Sequence, residues 1–298
     1  MPSQPWSSLS RRQFLAGGGA AAGALLLAAC GGGDDGVDAA ATTQPGGALA
    51  LAQFFGGPMF VPGREVRLPF GVADQDGLLS TERTPKRLMV EVRGPDDAPV
   101  GEPVEVERHA QGLPRAYFPL LATFPEPGLY TARAEIEGVG AEMSVKVDAP
   151  EDVKVIQVGQ SMPALQTPTT AESRGVNPIC TREPACPLHD VTLAEALTTG
   201  RPTALLVASP AFCQLAICGP VLDVLLSAID DYSGIGFLHA EVYVDPKTDT
   251  NTHAPVVGEL GLHFEPCLVL VGADGKVFDR VDTIYDEAEL RERLDRLA

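Results

Sequence analysis

The chain has 298 residues, 45% of them hydrophobic, which is enough apolar material for packed globular domains. Its 40 acidic residues outnumber its 22 basic residues, so the formal net charge is −18 at pH 7. A chain this acidic is repelled by phosphate backbones and by anionic lipid headgroups. We therefore expect no nucleic-acid partner and no electrostatic attachment to a membrane surface.

The first 29 residues have the pattern of an export signal. The sequence SRRQFL at 10–15 matches the twin-arginine motif, and a Gly-, Ala- and Leu-rich run follows it. That run is interrupted by glycines and is shorter than the roughly 20 apolar residues that a membrane span requires. It ends in Leu-Ala-Ala-Cys at 27–30, which resembles a bacterial lipobox and predicts a lipid-modified Cys30. The alternative is a secretory signal cut near Ala29.

These motifs predict a protein anchored by the lipid on Cys30 to the extracytoplasmic face of the cell membrane. Residues 30–48 are small, polar and Gly-rich, which is typical of a flexible tether. The cysteines that remain would then lie in an oxidising compartment, where an odd number leaves one thiol without a disulfide partner. These cysteines are Cys180, Cys186, Cys213, Cys218 and Cys267.

Residues 49–149 contain no run with helical periodicity and predict an all-β domain. Short alternating or aromatic segments separated by Pro and Gly resemble those of an immunoglobulin-like sandwich. In that resemblance Tyr130 occupies the place of the corner tyrosine near the penultimate strand. The region has no cysteine and no cluster of His or carboxylate suited to chemistry, so we expect a spacer or docking module. The predicted strand segments are 49–55, 65–72, 86–93, 104–109, 116–124, 128–136 and 141–147.

The acidic, Pro-containing stretch 149–152 predicts a boundary, and residues 153–298 are expected to form a second module that folds separately. Within it, the Pro-rich segment 177–189 cannot form a regular element, because proline lacks an N–H and restricts its neighbours. In an exported protein this segment predicts a structural Cys180–Cys186 disulfide. The alternative is a metal site that adds His189, for which the sequence offers no obvious fourth ligand.

Cys213 and Cys218 lie between a buried-strand pattern and an apolar helix pattern. Backbone N–H groups at a helix N-terminus favour thiolate over thiol, so this turn predicts a reactive cysteine. Residues five apart in one helix are rotated by about 140° and rise by about 7.5 Å, so a disulfide requires Cys213 outside the helix. Pro220 suits a first turn and predicts a helix beginning near Gly219. The alternatives are a helix from Cys213 kinked at Pro220, and a purely structural disulfide in the turn.

From residue 192 onward the order of predicted elements resembles the thioredoxin-like superfamily. That order is helix, strand, cysteine turn, helix, strand, short helix, a proline before a strand, a hairpin and a final helix. Capping-box patterns at 192–195 and 286–289 predict the first and last helix starts. The resemblance implies an α/β fold for the second module, with Pro266 as a cis-proline beside the active cysteine. The chain departs from the family in placing four residues, rather than two, between its cysteines.

The resemblance also implies a function, which is thiol–disulfide exchange with Cys213, Cys218 and Pro266 as the catalytic residues. Cys213 would attack and Cys218 would resolve, without a cofactor or a metal, on exported thiol or disulfide proteins. Cys267 would lie close to Cys213, or else be a buried and inert thiol. Two other functions stay open, a non-catalytic binding or scaffold lipoprotein and a copper carrier of the Sco type. The carrier would add a distant ligand, for which the candidates are His253 and His263.

Overall fold

The computed structural model describes residues 49–298, which form mostly β-sheets with few helices. The predicted export signal, the tether and the lipidation site Cys30 lie outside the described residues. Among the residues described, none belongs to a helix long and apolar enough to cross a membrane.

The strands are β1 (Ala50–Gln53), β2 (Glu65–Asp74), β3 (Gly77–Leu78), β4 (Arg87–Arg93), β5 (Val104–Glu107), β6 (Phe118–Thr123), β7 (Gly128–Ile136), β8 (Val139–Val147), β9 (Thr203–Val207), β10 (Gly236–Ala240), β11 (Tyr243–Asp245), β12 (Asp249–His253), β13 (Cys267–Val271) and β14 (Val277–Asp282). The α-helices are α1 (Leu193–Thr198), α2 (Cys218–Ala228), α3 (Pro255–Glu259) and α4 (Glu287–Leu297).

The first eight strands form a β-sandwich of two four-stranded antiparallel sheets. In one sheet β2 pairs with β1, β3 and β6, and the other has the order β5-β4-β7-β8. Alternate residues of β4, β7 and β8 are buried, and the inner faces of both sheets contribute to one hydrophobic cluster. Each of the seven predicted segments overlaps a strand, although β2 and β8 extend two residues beyond the predicted bounds, and β3 is a short addition.

The tyrosine predicted at a corner of the sandwich occupies that place. The Tyr130 hydroxyl donates a hydrogen bond of 2.7 Å to the carbonyl oxygen of Glu126, four residues upstream. The Tyr130 ring is buried and lies 4.7 Å from the ring of Phe124, measured between centroids. The hydrogen bond therefore satisfies a buried hydroxyl and fixes the chain as it enters β7.

The second half of the chain is built on a mixed sheet with the order β10-β9-β13-β14. Strands β9 and β10 run parallel, and β13 is antiparallel to both β9 and β14. Every residue of β9 and β13 is buried, because apolar layers cover both faces. One face, with Leu206 and Leu268, packs on α2 and α4, and the other, with Val207 and Cys267, belongs to the same hydrophobic cluster as the sandwich core.

The sandwich and the mixed sheet meet at a buried ion pair. Arg67 of β2 donates to both carboxylate oxygens of Glu289 of α4, at 2.5 and 2.7 Å. Its guanidinium also donates to the carbonyl oxygens of Asp282 and Ile284, and the Tyr117 hydroxyl donates to Glu289 at 2.6 Å. Burial opposes ionisation of Glu289, but Arg67 outweighs it and holds the pKa of Glu289 at about 2.

A 3-10 turn at Pro150–Asp152 follows the sandwich and lies within the predicted boundary. Separate folding of 49–149 and 153–298 stays a prediction. Separating the two parts would destabilise the second one, because a fragment that begins near Val153 would contain the buried Glu289 carboxylate without Arg67.

We expect Arg67→Met to lower the free energy of unfolding by about 3–5 kcal/mol, because it leaves a buried carboxylate without its main cation. Denaturant titration at pH 7 measures this loss. The matched control is Arg87→Met, which removes exposed pairs with Glu105 and Glu107. Surface pairs contribute at most about 1 kcal/mol, so equal losses in the two variants would contradict the buried pair.

The stability contributed by the Arg67–Glu289 pair should depend on pH and decrease in acid. The pKa of Glu289 is lower in the folded chain than the ordinary value of 4.5, so its stabilising effect is complete above that pH. This stabilisation disappears as the pH falls towards 2. The stability difference between the wild type and Arg67→Met should therefore shrink below pH 4.5.

Candidate active site

In the turn between β9 and α2, the two cysteines have different backbone conformations. Cys218 is the first residue of α2 and Pro220 lies in its first turn, whereas Cys213 lies in the preceding loop. The helix start predicted near Gly219 is thus correct to one residue, and the alternative of a helix from Cys213 is wrong. The N–H of Ala216, which has a φ of 54°, donates to the Cys213 carbonyl oxygen and turns the loop back on itself.

The Cys213 thiol is partly exposed and surrounded by hydrogen-bond donors. Its strongest partner is the Cys218 side chain, and the backbone N–H groups of Leu215, Ile217 and Cys218 also point at its sulfur. Together they lower the pKa of Cys213 to about 6, although burial acts in the opposite direction. At neutral pH this sulfur is therefore mainly thiolate, the form that acts as a nucleophile.

Cys218 differs from Cys213 because it is fully buried. Its Sγ donates to Oε2 of Glu265 over 3.5 Å. Burial, the Cys213 sulfur and the Glu265 carboxylate raise the pKa of Cys218 well above its ordinary value. The site therefore holds an exposed thiolate beside a buried, protonated thiol.

Glu265 is a buried acid held in place by two further donors. The N–H of Ser209 donates to Oε2 at 2.9 Å, and the Tyr243 hydroxyl donates to Oε1 at 3.1 Å. Burial, and then the negative charge at Cys213, raise the pKa of Glu265 to about 7. Sequence reasoning missed this residue. The available signal was an acid placed directly before Pro266, where an otherwise apolar strand begins.

The structure also places the other two residues predicted near the turn. The Glu265–Pro266 peptide bond is cis, as predicted, whereas a catalytic role for Pro266 stays a prediction. Cys267 is fully buried and belongs to the hydrophobic cluster on the opposite face of the sheet from Cys218. Its Sγ faces Oδ1 of Asp282 at 3.7 Å, which favours the inert thiol among the two alternatives.

A cleft opens beside the cysteine turn, and Gln214, the neighbour of Cys213, forms part of its wall. The cleft combines the polar tips of Tyr243 and Glu265 with an apolar lining, so it can hold side chains that flank a reacting sulfur. Its other lining residues are Phe55, Val242, His253, Val257, Leu262, His263 and Phe264.

The two histidines considered for a copper site line this cleft but do not join the cysteines. In the described part of the chain, the ligand atoms grouped within 4.8 Å of one another at the turn belong to Cys213, Cys218 and Glu265. His253 stacks obliquely near Tyr243 instead, with 5.6 Å between ring centroids. The geometry therefore gives no support to a Cys-Cys-His carrier site.

A second cluster of possible ligands includes one residue of β10. It consists of Cys180, Cys186, His189 and His239, which are all buried and have donor atoms within 4.8 Å of one another. The disulfide predicted between Cys180 and Cys186 is not formed, and all five described cysteines are free. The Cys186 sulfur lies 3.2 and 3.4 Å from imidazole nitrogens of His189 and His239, so the two free cysteines face a group of possible metal ligands.

Sequence reasoning named three members of this cluster and missed His239. His239 lies on β10, 50 residues beyond His189, in a segment whose pattern is that of a buried strand. A buried histidine in such a strand was the available signal, but its partners come from a different part of the chain.

No family model and no curated protein matches the chain. Among solved structures, the PKD domain from human VPS10 domain-containing receptor SorCS2 is similar to part of it. The identity is 19%, the match covers 43% of this chain and 98% of the PKD chain, and the TM-score is 0.20. A similarity at this TM-score supports no conclusion about fold or function.

We expect Cys213 to react with iodoacetamide with an apparent pKa near 6, while Cys218 stays unmodified until the chain is denatured. Peptide mass spectrometry after short labelling from pH 4 to 9 measures both rates. Cys218→Ala should move the Cys213 pKa upward, because it removes the side-chain hydrogen bond that contributes most to lowering that pKa. Glu259→Gln, on the exposed end of α3, should leave the profile unchanged. An apparent pKa near the free value of about 8.5 would contradict the assignment.

Proposed function

We propose that the chain is a thiol–disulfide oxidoreductase that acts through Cys213 and Cys218. The observation that supports this most is the unequal state of the two thiols, with the pKa of Cys213 at about 6 and that of Cys218 well raised. A purely structural pair has no need of an exposed thiolate. The cleft lined by Gln214 offers a partner protein a binding surface next to the loop that carries this thiolate.

The reaction follows from the positions of the two sulfurs. The Cys213 thiolate attacks one sulfur of a partner disulfide, breaks that S–S bond and forms a mixed disulfide, while the second partner sulfur leaves as thiolate. Cys218 then attacks Cys213, forms the Cys213–Cys218 disulfide and releases the partner as a dithiol. Two electrons pass from the chain to the partner, and the same steps in reverse oxidise a partner dithiol.

Glu265 is placed to accept the proton that Cys218 loses in the second step. Cys218 must lose its proton before it can attack, and its Sγ already donates to Oε2 of Glu265. A carboxylate whose pKa is raised to about 7 can accept that proton near neutral pH and release it later. We assign Glu265 as the general base for Cys218.

The proposal extends to the domains. We propose a thioredoxin-like fold for 153–298, supported by the strand order β10-β9-β13-β14, the cysteine turn at the start of α2 and the cis bond before Pro266. For 49–149 we propose an immunoglobulin-like sandwich, supported by the two antiparallel sheets and by the hydrogen bond from the Tyr130 hydroxyl.

If exchange occurs, Cys218→Ser should accumulate disulfide-linked adducts with exported proteins, because the mixed disulfide loses its resolving thiol. Cys213→Ser should form none. Cys267→Ala is the matched control and should behave as the wild type, since its thiol lies on the other face of the sheet. Non-reducing gel electrophoresis of extracts from cells that express each variant detects the adducts.

The reduction potential of the Cys213/Cys218 pair gives an independent measure. A value above about −300 mV is expected for an exchanging pair, and a lower one for a structural bridge. A low potential, together with no adducts in Cys218→Ser, would contradict the exchange proposal. It would favour the alternative, a non-catalytic binding or scaffold role.

We further propose that the protein acts outside the cytoplasm, anchored by a lipid on Cys30 and exported through the twin-arginine motif at 10–15. The support is the sequence of the motif and the lipobox. Replacing Arg11 and Arg12 by Lys should block export, and Cys30→Ala should move the protein from the membrane to the soluble fraction. Unchanged fractionation in both variants would refute the anchor.

A further inference from the structure

Four ligand atoms converge on one point in the second half of the molecule. His239 Nδ1 lies 3.2 Å from His189 Nε2, 3.4 Å from the Cys186 sulfur and 3.8 Å from the Cys180 sulfur. The Cys186 sulfur lies 3.2 Å from His189 Nε2. These are two sulfurs and two nitrogens, and the nitrogen–nitrogen and nitrogen–sulfur separations of 3.2 to 3.8 Å are close to van der Waals contact.

The spacings agree with the edges of a metal-centred tetrahedron. Zinc bonds of about 2.3 Å to sulfur and 2.0–2.1 Å to nitrogen place two nitrogens about 3.3 Å apart and a nitrogen and a sulfur about 3.5 Å apart. The observed separations between nitrogens and between nitrogen and sulfur fall within a few tenths of an ångström of those values.

The surroundings of His239 orient it as a ligand. Its Nε2 lies 2.9 Å from the carbonyl oxygen of Ala208, which can only accept, so Nε2 carries the hydrogen and donates the bond. The lone pair is then on Nδ1, the atom that faces the cluster. His189 directs its Nε2 at the cluster, 3.2 Å from both the Cys186 sulfur and His239 Nδ1, while its buried Nδ1 has no hydrogen-bond partner among the described residues.

We propose that Cys180, Cys186, His189 and His239 bind one Zn²⁺ in a closed structural site. All four ligands are at most 6% exposed, so no open coordination position faces solvent for catalysis or metal delivery. Two thiolates balance the charge of Zn²⁺, which makes burial of the ion tolerable. Softer Cu(I) also accepts thiolates, but a tetrahedral set of two sulfurs and two imidazoles is a zinc set.

The proposed zinc site would hold in place the Pro-rich segment 177–189. Residues 177–189 contain no helix or strand, and the cluster fastens both cysteine positions of this segment to β10. The fastened segment reaches the cysteine turn, since Thr181 Oγ1 accepts from the N–H of Ala211. Loss of the ion would therefore loosen the support of the turn, although the zinc proposal itself does not depend on exchange chemistry.

The test measures metal in the full chain, purified after growth with zinc and dialysed against metal-free buffer. Elemental mass spectrometry should find one Zn²⁺ per chain. Cys180→Ser and His239→Gln should each lose the metal. The matched control is the double variant Cys213→Ser, Cys218→Ser, which removes the sulfurs of the other group and should retain the metal.

Two results overturn the proposal. One is zinc that is lost from the control and kept in Cys180→Ser and His239→Gln. The other is a wild-type chain without zinc whose peptide map shows a Cys180–Cys186 disulfide.

Because ligand variants can fail to fold, a second measurement uses the unaltered full chain. Replacement of zinc by Co²⁺ should give the strong visible bands of a tetrahedral site and a thiolate charge-transfer band. Bound metal should also protect Cys180 and Cys186 from alkylation, and a chelator should expose them while the labelling of Cys213 continues throughout. A six-coordinate cobalt spectrum, or equal labelling with and without chelator, would overturn the proposal.

Discussion

The buried pair between Arg67 and Glu289 is the contact on which the arrangement of the described chain depends. Arg67 belongs to the sandwich and Glu289 to α4, and α4 packs with α2 against one face of the mixed sheet. The Tyr285 hydroxyl, just before α4, donates to the Val221 carbonyl oxygen in the first turn of α2. The Arg67–Glu289 ion pair is thus connected, through α4 and the Tyr285 hydrogen bond, to the helix that begins at Cys218.

Burial has opposite effects at the two acids that matter most. Glu289 is buried beside a cation and stays ionised, with a pKa of about 2. Glu265 is buried beside a thiolate, without a cation in its hydrogen-bond shell, and its pKa rises to about 7. The first acid is therefore a fixed charge suited to structure, and the second can exchange a proton near neutral pH.

A line of polar contacts connects the two cysteine sites. Glu265 accepts from the N–H of Ser209, and the Ser209 hydroxyl donates to Glu241 at 2.5 Å. The other oxygen of Glu241 accepts from the N–H of Thr181, the residue after Cys180. Each group is buried or partly buried and has a partner, so the cysteine turn and the Pro-rich segment are held as one polar unit across the end of the sheet.

Features that depend on neighbouring residues could be predicted from the sequence. Alternation placed the sandwich strands, because side chains in a strand point to opposite faces, and the capping box at Thr192 and Glu195 is present as predicted. Asp286 caps α4 by accepting from the N–H of Glu289, also as predicted, but the Glu289 side chain turns to Arg67 rather than back to the cap. No local pattern contains that partner, which is 222 residues away.

Contacts between distant groups could not be predicted in this way, because they depend on how the strands pair and pack. His239 joins Cys186 because β10 pairs with β9 and carries the imidazole to the Pro-rich segment, and a separation of 53 positions leaves no periodic signal. Glu265 reaches Cys218 by the same means across 47 residues. Local patterns report secondary structure because they reflect backbone geometry over a few residues. Ligand sets, proton acceptors and buried ion pairs depend on strand pairing and packing, which bring together residues that the sequence keeps far apart.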